Sequence, residues 1–324
     1  MNLLLLKSHH LKFPTCMQCR IFGRNFSDLI DTNMIGIPQL RRTLVGSRTF
    51  SVPGISTSIR ISRTYADKPA KKKSAPAADI SQIPIRSIGV IADFYVPPRY
   101  LSSPVTSWHK LLFRRLGLFA INTYSIVKFR RETGLKLHFN EWKDTAIDQF
   151  VRVNKVFAGA CNSRTSERAK YISTQLHDVA GAEVIKSLTA RAATFPASGT
   201  RLEWQLTDIV GNPKIVSFNA LPDSNNLTAL VQFVCKVTTK QKLTITTQGK
   251  LNSNERLVTD NLVYTLDPFS GEMVLVGSVF ESDHIRGVQP EINFTDAQTM
   301  TKFQVLCSDL FRSNPNLIGK SKHK

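Results

Sequence analysis

The spacing of apolar residues changes once along this chain, and that change most constrains its fold. Upstream of Pro196 and Gly199 the spacing is helical, and its clearest stripe has apolar residues three and four positions apart: Trp142, Ala146, Phe150, Val153 and Phe157. Downstream, Leu202, Trp204 and Leu206 alternate with polar residues, as in a strand with one buried face. Helices first and an antiparallel meander second indicate an α+β fold, with helices packed on one face of a curved sheet.

The same patterns place the individual elements. Helices are predicted over residues 106–131, 141–158, 165–176, 178–193 and 296–312. Strands are predicted within residues 202–207, 231–237, 243–247, 257–266 and 273–280, with a hairpin-like turn at 267–271. We expect Asn140 to cap the second helix and Gly159 to end it.

The N-terminal 65 residues read as a targeting segment. They contain nine Lys or Arg and only two acidic residues, and they are rich in Ser and Thr. This composition is typical of a mitochondrial presequence, and Arg63-Thr64-Tyr65-Ala66 resembles its processing site. A secretory signal is disfavoured because the apolar run at residues 3–6 is too short.

Charge and proline content divide the remaining chain. We predict a basic linker and extended arm over residues 66–104, an α+β domain over 105–290, and a C-terminal helix with a basic tail over 291–324. Removing the nine basic and two acidic residues of the presequence from the chain totals of 43 and 24 leaves a net charge of +12. Such a surface favours phosphates and anionic lipid headgroups, although many matrix proteins are basic.

Signatures of catalysis and of cofactor binding are absent from the sequence. There is no P-loop, dinucleotide-binding, HExxH or GxSxG motif, and Cys16-x-x-Cys19 has no second pair for a metal. We therefore predict no enzyme, cofactor, metal or small-molecule substrate. The enzymatic alternative is a pocket in a cone-shaped fold, and it would have to recruit residues that nothing in the sequence pairs: Asp144, Asp148, Tyr171 or Tyr264.

Basic residues are the candidate functional residues. As contacts to rRNA or lipid we propose Lys71, Lys72, Lys73, Arg99, Lys110, Arg114, Arg115, Lys128, Arg130, Arg131, Lys240, Lys242, Lys320, Lys322 and Lys324. The helix at 106–131 allows two interpretations: a core element with solvated charges, or an interface whose basic ends meet phosphates. Its charge-free stretch, 116–127, is too short to span a bilayer, so any membrane contact would be peripheral.

Several short motifs, in order, resemble one known family. They are Tyr95-Val96-Pro97-Pro98, the stretch from Trp142 to Ala158, Leu202-Glu203-Trp204-Gln205-Leu206, Thr239-Lys240-Gln241-Lys242-Leu243 and Gly277-Ser278-Val279-Phe280-Glu281-Ser282. Together they resemble the Mba-type ribosome receptors of fungal mitochondria. Their superfamily also holds a mitoribosomal large-subunit protein and the C-terminal domain of the membrane-bound subunit of the import motor.

The resemblance implies a cone-shaped α+β domain without catalytic residues. It also implies a peripheral protein on the matrix face of the mitochondrial inner membrane. Its partners would be the large mitoribosomal subunit, the inner-membrane insertase and an anionic lipid surface. It would align the ribosomal tunnel exit with the insertase. A permanent mitoribosomal large-subunit protein, or an import-motor subunit, is the alternative.

Overall fold

Helices and strands form two successive blocks, followed by one further helix. The computed structural model describes residues 80–100, 103–196, 199–292 and 296–314. The helices within these ranges are α1 (Trp108–Thr133), α2 (Phe139–Asn162), α3 (Thr165–Leu176), α4 (Ala182–Ala193) and α5 (Ala297–Ser308). The strands are β1 (Thr200–Ile209), β2 (Lys214–Pro222), β3 (Thr228–Thr247), β4 (Lys250–Leu266) and β5 (Met273–Val279). The predicted α+β class is confirmed.

Helix α2 extends beyond both of its predicted ends. Its N-cap is His138 rather than Asn140, and Gly159 lies inside the helix. A Cβ atom at Gly159 would be 3.2 Å from the hydroxyl oxygen of Tyr171 on α3. The glycine therefore permits close packing of α3. The prediction that it ends α2 was wrong.

The sheet is antiparallel and is built around the 20-residue strand β3. One edge of β3 pairs first with β2 and then, farther along, with β1; the other edge pairs with β4, which in turn pairs with β5. Register shifts in the β1, β2 and β5 pairings mark bulges, which bend a sheet. Strand β2 was absent from the sequence prediction, and the two short strands predicted within β3 are one continuous strand.

Helices α2, α3 and α4 cover one face of the sheet. Their apolar stripes meet the inward residues of β3, β4 and β5, and Phe150, Leu188, Phe233, Tyr264 and Leu275 are among the buried residues of this core. Burying each large apolar side chain contributes about 1.5–3 kcal/mol, so this core supplies the main driving force for packing the helices on the sheet. The predicted helical layer is confirmed.

A second layer covers the opposite face of the same sheet. Residues 80–100 cross this face, and their Val90 and Val96 share a buried cluster with Cys307 of α5. Gln232 of β3 connects the crossing segment to the sheet. The Gln232 side-chain amide donates to the carbonyl of Gly89 at 2.7 Å and accepts from the amide of Ile91 at 3.0 Å. Both faces are thus covered where β3 pairs with β2 and where β4 pairs with β5, whereas β1, the end of β3 and the start of β4 are more exposed.

Candidate functional site

Helix α1 lies along the outer edge of β2. The side chain of Asn122 donates to the carbonyl of Val216 at 2.9 Å and accepts from the amide of Phe218 at 3.1 Å. It thereby satisfies backbone groups on the edge of β2 that does not pair with β3. This accounts for an amide in the middle of the charge-free stretch 116–127, because a strand edge needs partners for its polar groups.

Two adjacent arginines of α1 also point toward the body of the protein. Arg114 is 3% exposed and donates to the carbonyls of His284 and Ile285 at 2.7 and 3.2 Å. Arg115 places its guanidinium 4.0 Å above the ring of Tyr100. The prediction that Arg114 contacts rRNA or lipid is therefore corrected: its charge binds backbone carbonyls inside the protein.

The side of α1 that faces away from the sheet is apolar and exposed. Leu111, Leu118 and Phe129 mark its buried side. On a helical wheel the far side presents six large residues, each 49–70% exposed: Leu112, Phe113, Leu116, Phe119, Tyr124 and Val127. We call these six residues the α1 surface. From Leu112 to Val127 it runs for about 22 Å, at the helical rise of about 1.5 Å per residue.

Positive charge brackets the α1 surface. Lys110 lies at its N-terminal end, and the exposed Arg130 and Arg131 lie at its C-terminal end. Between Lys110 and Lys128 the helix carries only two charged side chains, the inward-pointing arginines described above. The sequence left open whether this helix is a core element or an interface. In the structure one side of α1 packs against the protein and the opposite side is exposed, so the helix has features of both.

One acidic residue lies in α1, and it is turned toward the sheet. A carboxylate oxygen of Glu132 accepts from both the amide and the hydroxyl of Thr228, at 2.9 and 2.6 Å. Its other oxygen is 3.9 Å from the ammonium nitrogen of Lys128. Glu132 thus ties the end of α1 to the start of β3 and leaves the charges at this end of the helix predominantly positive.

The remaining predicted basic residues are dispersed. Arg99 lies 3.4 Å from Glu281 and donates to the Thr259 hydroxyl at 2.9 Å. Lys240 lies 3.3 Å from Glu255, and Lys242 is exposed on the neighbouring part of β3. The predicted contacts at Lys71, Lys72, Lys73, Lys320, Lys322 and Lys324 lie outside the described residues. The structure places Arg99, Lys240 and Lys242 away from α1, whereas the other described residues of the prediction lie on it: Lys110, Arg114, Arg115, Lys128, Arg130 and Arg131.

The enzymatic alternative requires a pocket with paired titratable groups. A small cavity of about 70 Å³ lies between the sheet and α2, and Trp204, Arg256, Asp260 and Phe311 are among its lining residues. A cavity of this size has room for about two water molecules. Sequence reasoning missed Asp260, although it interrupts the alternation of inward apolar residues along β4.

The four residues considered for catalysis do not lie together. The Tyr264 hydroxyl donates to the carbonyl of Ala146 at 2.7 Å, and burial raises the pKa of that phenol. Asp144 and Asp148 are exposed on α2, and Tyr171 packs against Gly159. Each has a structural role or a solvated position, and no acid–base pair results from these four.

Among the helices that the structure describes, none is long and apolar enough to cross a bilayer. No group of three or more His, Cys, Asp or Glu side chains suited to a metal ion occurs in the described part of the chain.

Comparison with known proteins identifies the family. The model of the family described as MBA1-like protein matches residues 74–316. This chain belongs to the MBA1-like protein family. Every helix and strand described above lies within the matched residues, so the family match covers both layers of the fold. The resemblance predicted from the ordered motifs is confirmed.

A curated member of the MBA1-like family is similar along most of its length. The inner membrane mitoribosome receptor MBA1 of Saccharomyces cerevisiae is 29% identical over 268 residues, which cover 81% of this chain and 91% of the yeast protein. The name of this relative describes a mitochondrial receptor, a role that requires no catalytic site.

Proposed function

We propose that this protein is a receptor for the large mitoribosomal subunit, bound peripherally to the matrix face of the mitochondrial inner membrane. Membership of the MBA1-like family over residues 74–316 carries the proposal, together with the yeast relative whose name places a mitoribosome receptor at that membrane. In this role the protein aligns the tunnel exit with the insertase, so that membrane proteins made inside mitochondria are inserted as they emerge.

The charge of the chain suits this position. A receptor of this kind must hold a polyanionic ribosome and an anionic membrane at the same time, and the chain after residue 65 carries a net charge of +12. Several moderate electrostatic contacts on one folded body strengthen one another, because the first contact raises the effective concentration for the second. We propose Lys71, Lys72 and Lys73 and the C-terminal lysines as further tethers to phosphate.

Delivery to the matrix is part of the same proposal. We propose that residues 1–65 are a presequence removed on import, and that the mature chain begins near Tyr65 or Ala66. N-terminal sequencing of the protein purified from mitochondria tests this step. A mature protein that still begins at Met1 would contradict it.

Sedimentation of mitochondrial ribosomes over a salt series tests the receptor role. The protein should co-sediment with the large subunit at low salt, and affinity should fall steeply as salt rises. Reversing the charge of Lys71, Lys72 and Lys73 should reduce the salt slope, whereas reversing the exposed Lys170 and Lys250, which belong to neither cluster in the sequence, should leave it unchanged. If the protein did not co-sediment with the large subunit at low salt, the proposed receptor role would be wrong.

The alternative is a permanent protein of the large mitoribosomal subunit. Stripping ribosomes from inner membranes with a chelator separates the two roles. A receptor remains with the membranes, because its membrane contact does not depend on the ribosome. A ribosomal protein leaves with the large subunit in constant stoichiometry, and that result would replace the proposed receptor by this alternative.

A further inference from the structure

We propose that the α1 surface is the membrane-binding face of the protein and that α1 lies in the plane of the bilayer interface, on anionic lipid. The inference rests on the proposed peripheral membrane location and specifies the side of the fold that meets lipid. The first observation is exposure: Phe119 and Tyr124 are 69% and 70% exposed, on a helix whose opposite side carries its buried residues. An apolar strip this long is costly to leave in water and marks an interaction site.

The distribution of charge selects a lipid surface as the partner. An interfacial helix has an apolar strip that enters the acyl boundary and cations that remain among the headgroup phosphates. The α1 surface follows this pattern, with Lys110 at one end and Arg130 and Arg131 at the other. Tyr124 adds an amphipathic ring of the kind that favours the headgroup level.

Ribosomal RNA would require a different surface. An RNA backbone carries phosphate throughout its length, so a helix lying along it places cations along its whole contact face. On α1 the stretch between Lys110 and Lys128 presents no charge outward, because Arg114 and Arg115 point into the protein. The centre of the α1 surface is therefore suited to acyl chains and unsuited to phosphate.

The inward contacts of α1 also set the depth of insertion. Asn122 holds the edge of β2, and Glu132 holds Thr228 at the start of β3. These bonds keep the buried side of α1 on the sheet while its opposite side enters the interface. The arrangement gives shallow, reversible membrane binding in which the rest of the fold stays available to the ribosome.

A matched pair of phenylalanines tests this assignment. Phe119 on α1 and Phe269 in the turn after β4 are each 69% exposed, so Phe119→Glu and Phe269→Glu make the same chemical change at equally exposed sites. The full chain is floated with vesicles of phosphatidylcholine plus cardiolipin. Every variant carries the same N-terminal segment, so a difference between variants reports the substituted site.

Phe119→Glu should weaken vesicle binding by roughly tenfold or more, because it removes a ring that enters the lipid and places a charge in the bilayer interface. Phe269→Glu should bind as the unchanged chain does, and Phe119→Trp should keep full binding. Arg130→Glu with Arg131→Glu should reduce the preference for cardiolipin over phosphatidylcholine alone. The charge control Lys170→Glu with Lys250→Glu should preserve that preference. Equal binding by Phe119→Glu and Phe269→Glu would overturn the inference.

Ribosome co-sedimentation without membranes separates this inference from the receptor role. Phe119→Glu should bind ribosomes normally, and that result supports the lipid assignment. If it lost ribosome binding while vesicle binding stayed intact, the α1 surface would face the ribosome and the inference would be wrong. Loss of self-association with unchanged vesicle binding would identify a second copy as the partner and would also overturn it. If the unchanged chain bound vesicles through the α1 surface but never bound ribosomes, the proposed receptor role would be wrong and the lipid assignment would still hold.

Discussion

Arg168 offers a direct measurement of what holds the helical layer together. It is 2% exposed, and its guanidinium donates to backbone carbonyls at the ends of two helices. Its five acceptors, at 2.7–3.1 Å, are the carbonyls of Cys161, Ser163, Ala192, Phe195 and Pro196. The last carbonyls of a helix lack partners within it and carry partial negative charge. One buried cation thus satisfies the ends of α2 and α4 together.

Arg168→Met keeps an unbranched side chain and removes every one of these bonds. At a net value of about 1 kcal/mol each, five hydrogen bonds contribute about 5 kcal/mol, and relief from burying a charge offsets part of the loss. We expect the free energy of unfolding to fall by about 3–5 kcal/mol. For a domain of this size, that lowers the melting temperature by about 6–20 °C.

Urea unfolding followed by circular dichroism measures this loss. The control is Arg152→Met, since Arg152 is exposed and donates one bond, to the carbonyl of Gln175. The control should change the free energy of unfolding by less than about 0.5 kcal/mol. A loss below about 1 kcal/mol for Arg168→Met would show that the five carbonyls find other partners and would refute the reasoning.

Three further predictions follow from packing and burial. Asn122→Ala should destabilise the protein by about 1–3 kcal/mol by exposing a strand edge, and hydrogen exchange should quicken at the amide of Phe218; unchanged exchange there would contradict the edge role. Gly277→Ala should cost about 1–3 kcal/mol in urea unfolding, since its Cβ would lie 2.6 Å from the carbonyl oxygen of Cys307. Burial raises the pKa of the Cys235 thiol from 9.0 to about 12, so the thiol contributes its full stabilisation below pH 9 and this contribution is lost as the pH rises toward 12. Cys235→Ala should make the decline in the free energy of unfolding between about pH 9 and about pH 10.5 smaller by about 1.6 kcal/mol, and an unchanged decline would exclude this thiol as a source.

The α+β class and several elements could be predicted from residue order. Helix α3 has the predicted ends, 165–176, because an apolar stripe and short flanking loops define it locally. Strand β2 escaped prediction because both of its faces are covered: Val216 packs on one side and Phe218 on the other. A strand buried on both faces shows no alternation of apolar and polar residues, which is the signal that the prediction required.

The candidate site could be predicted from the sequence only in part. The sequence by itself determined that the chain is basic, that a broadly apolar helix with basic ends follows the arm, and that ordered motifs resemble one receptor family. The fold alone decided that Arg114 is buried while Arg131 is exposed, because that choice depends on carbonyls 170 residues away. Helical periodicity is local, whereas the side of a helix left uncovered depends on which distant segments pack against it. The tertiary structure was therefore needed to identify the exposed side of α1, on which the proposed lipid contact rests.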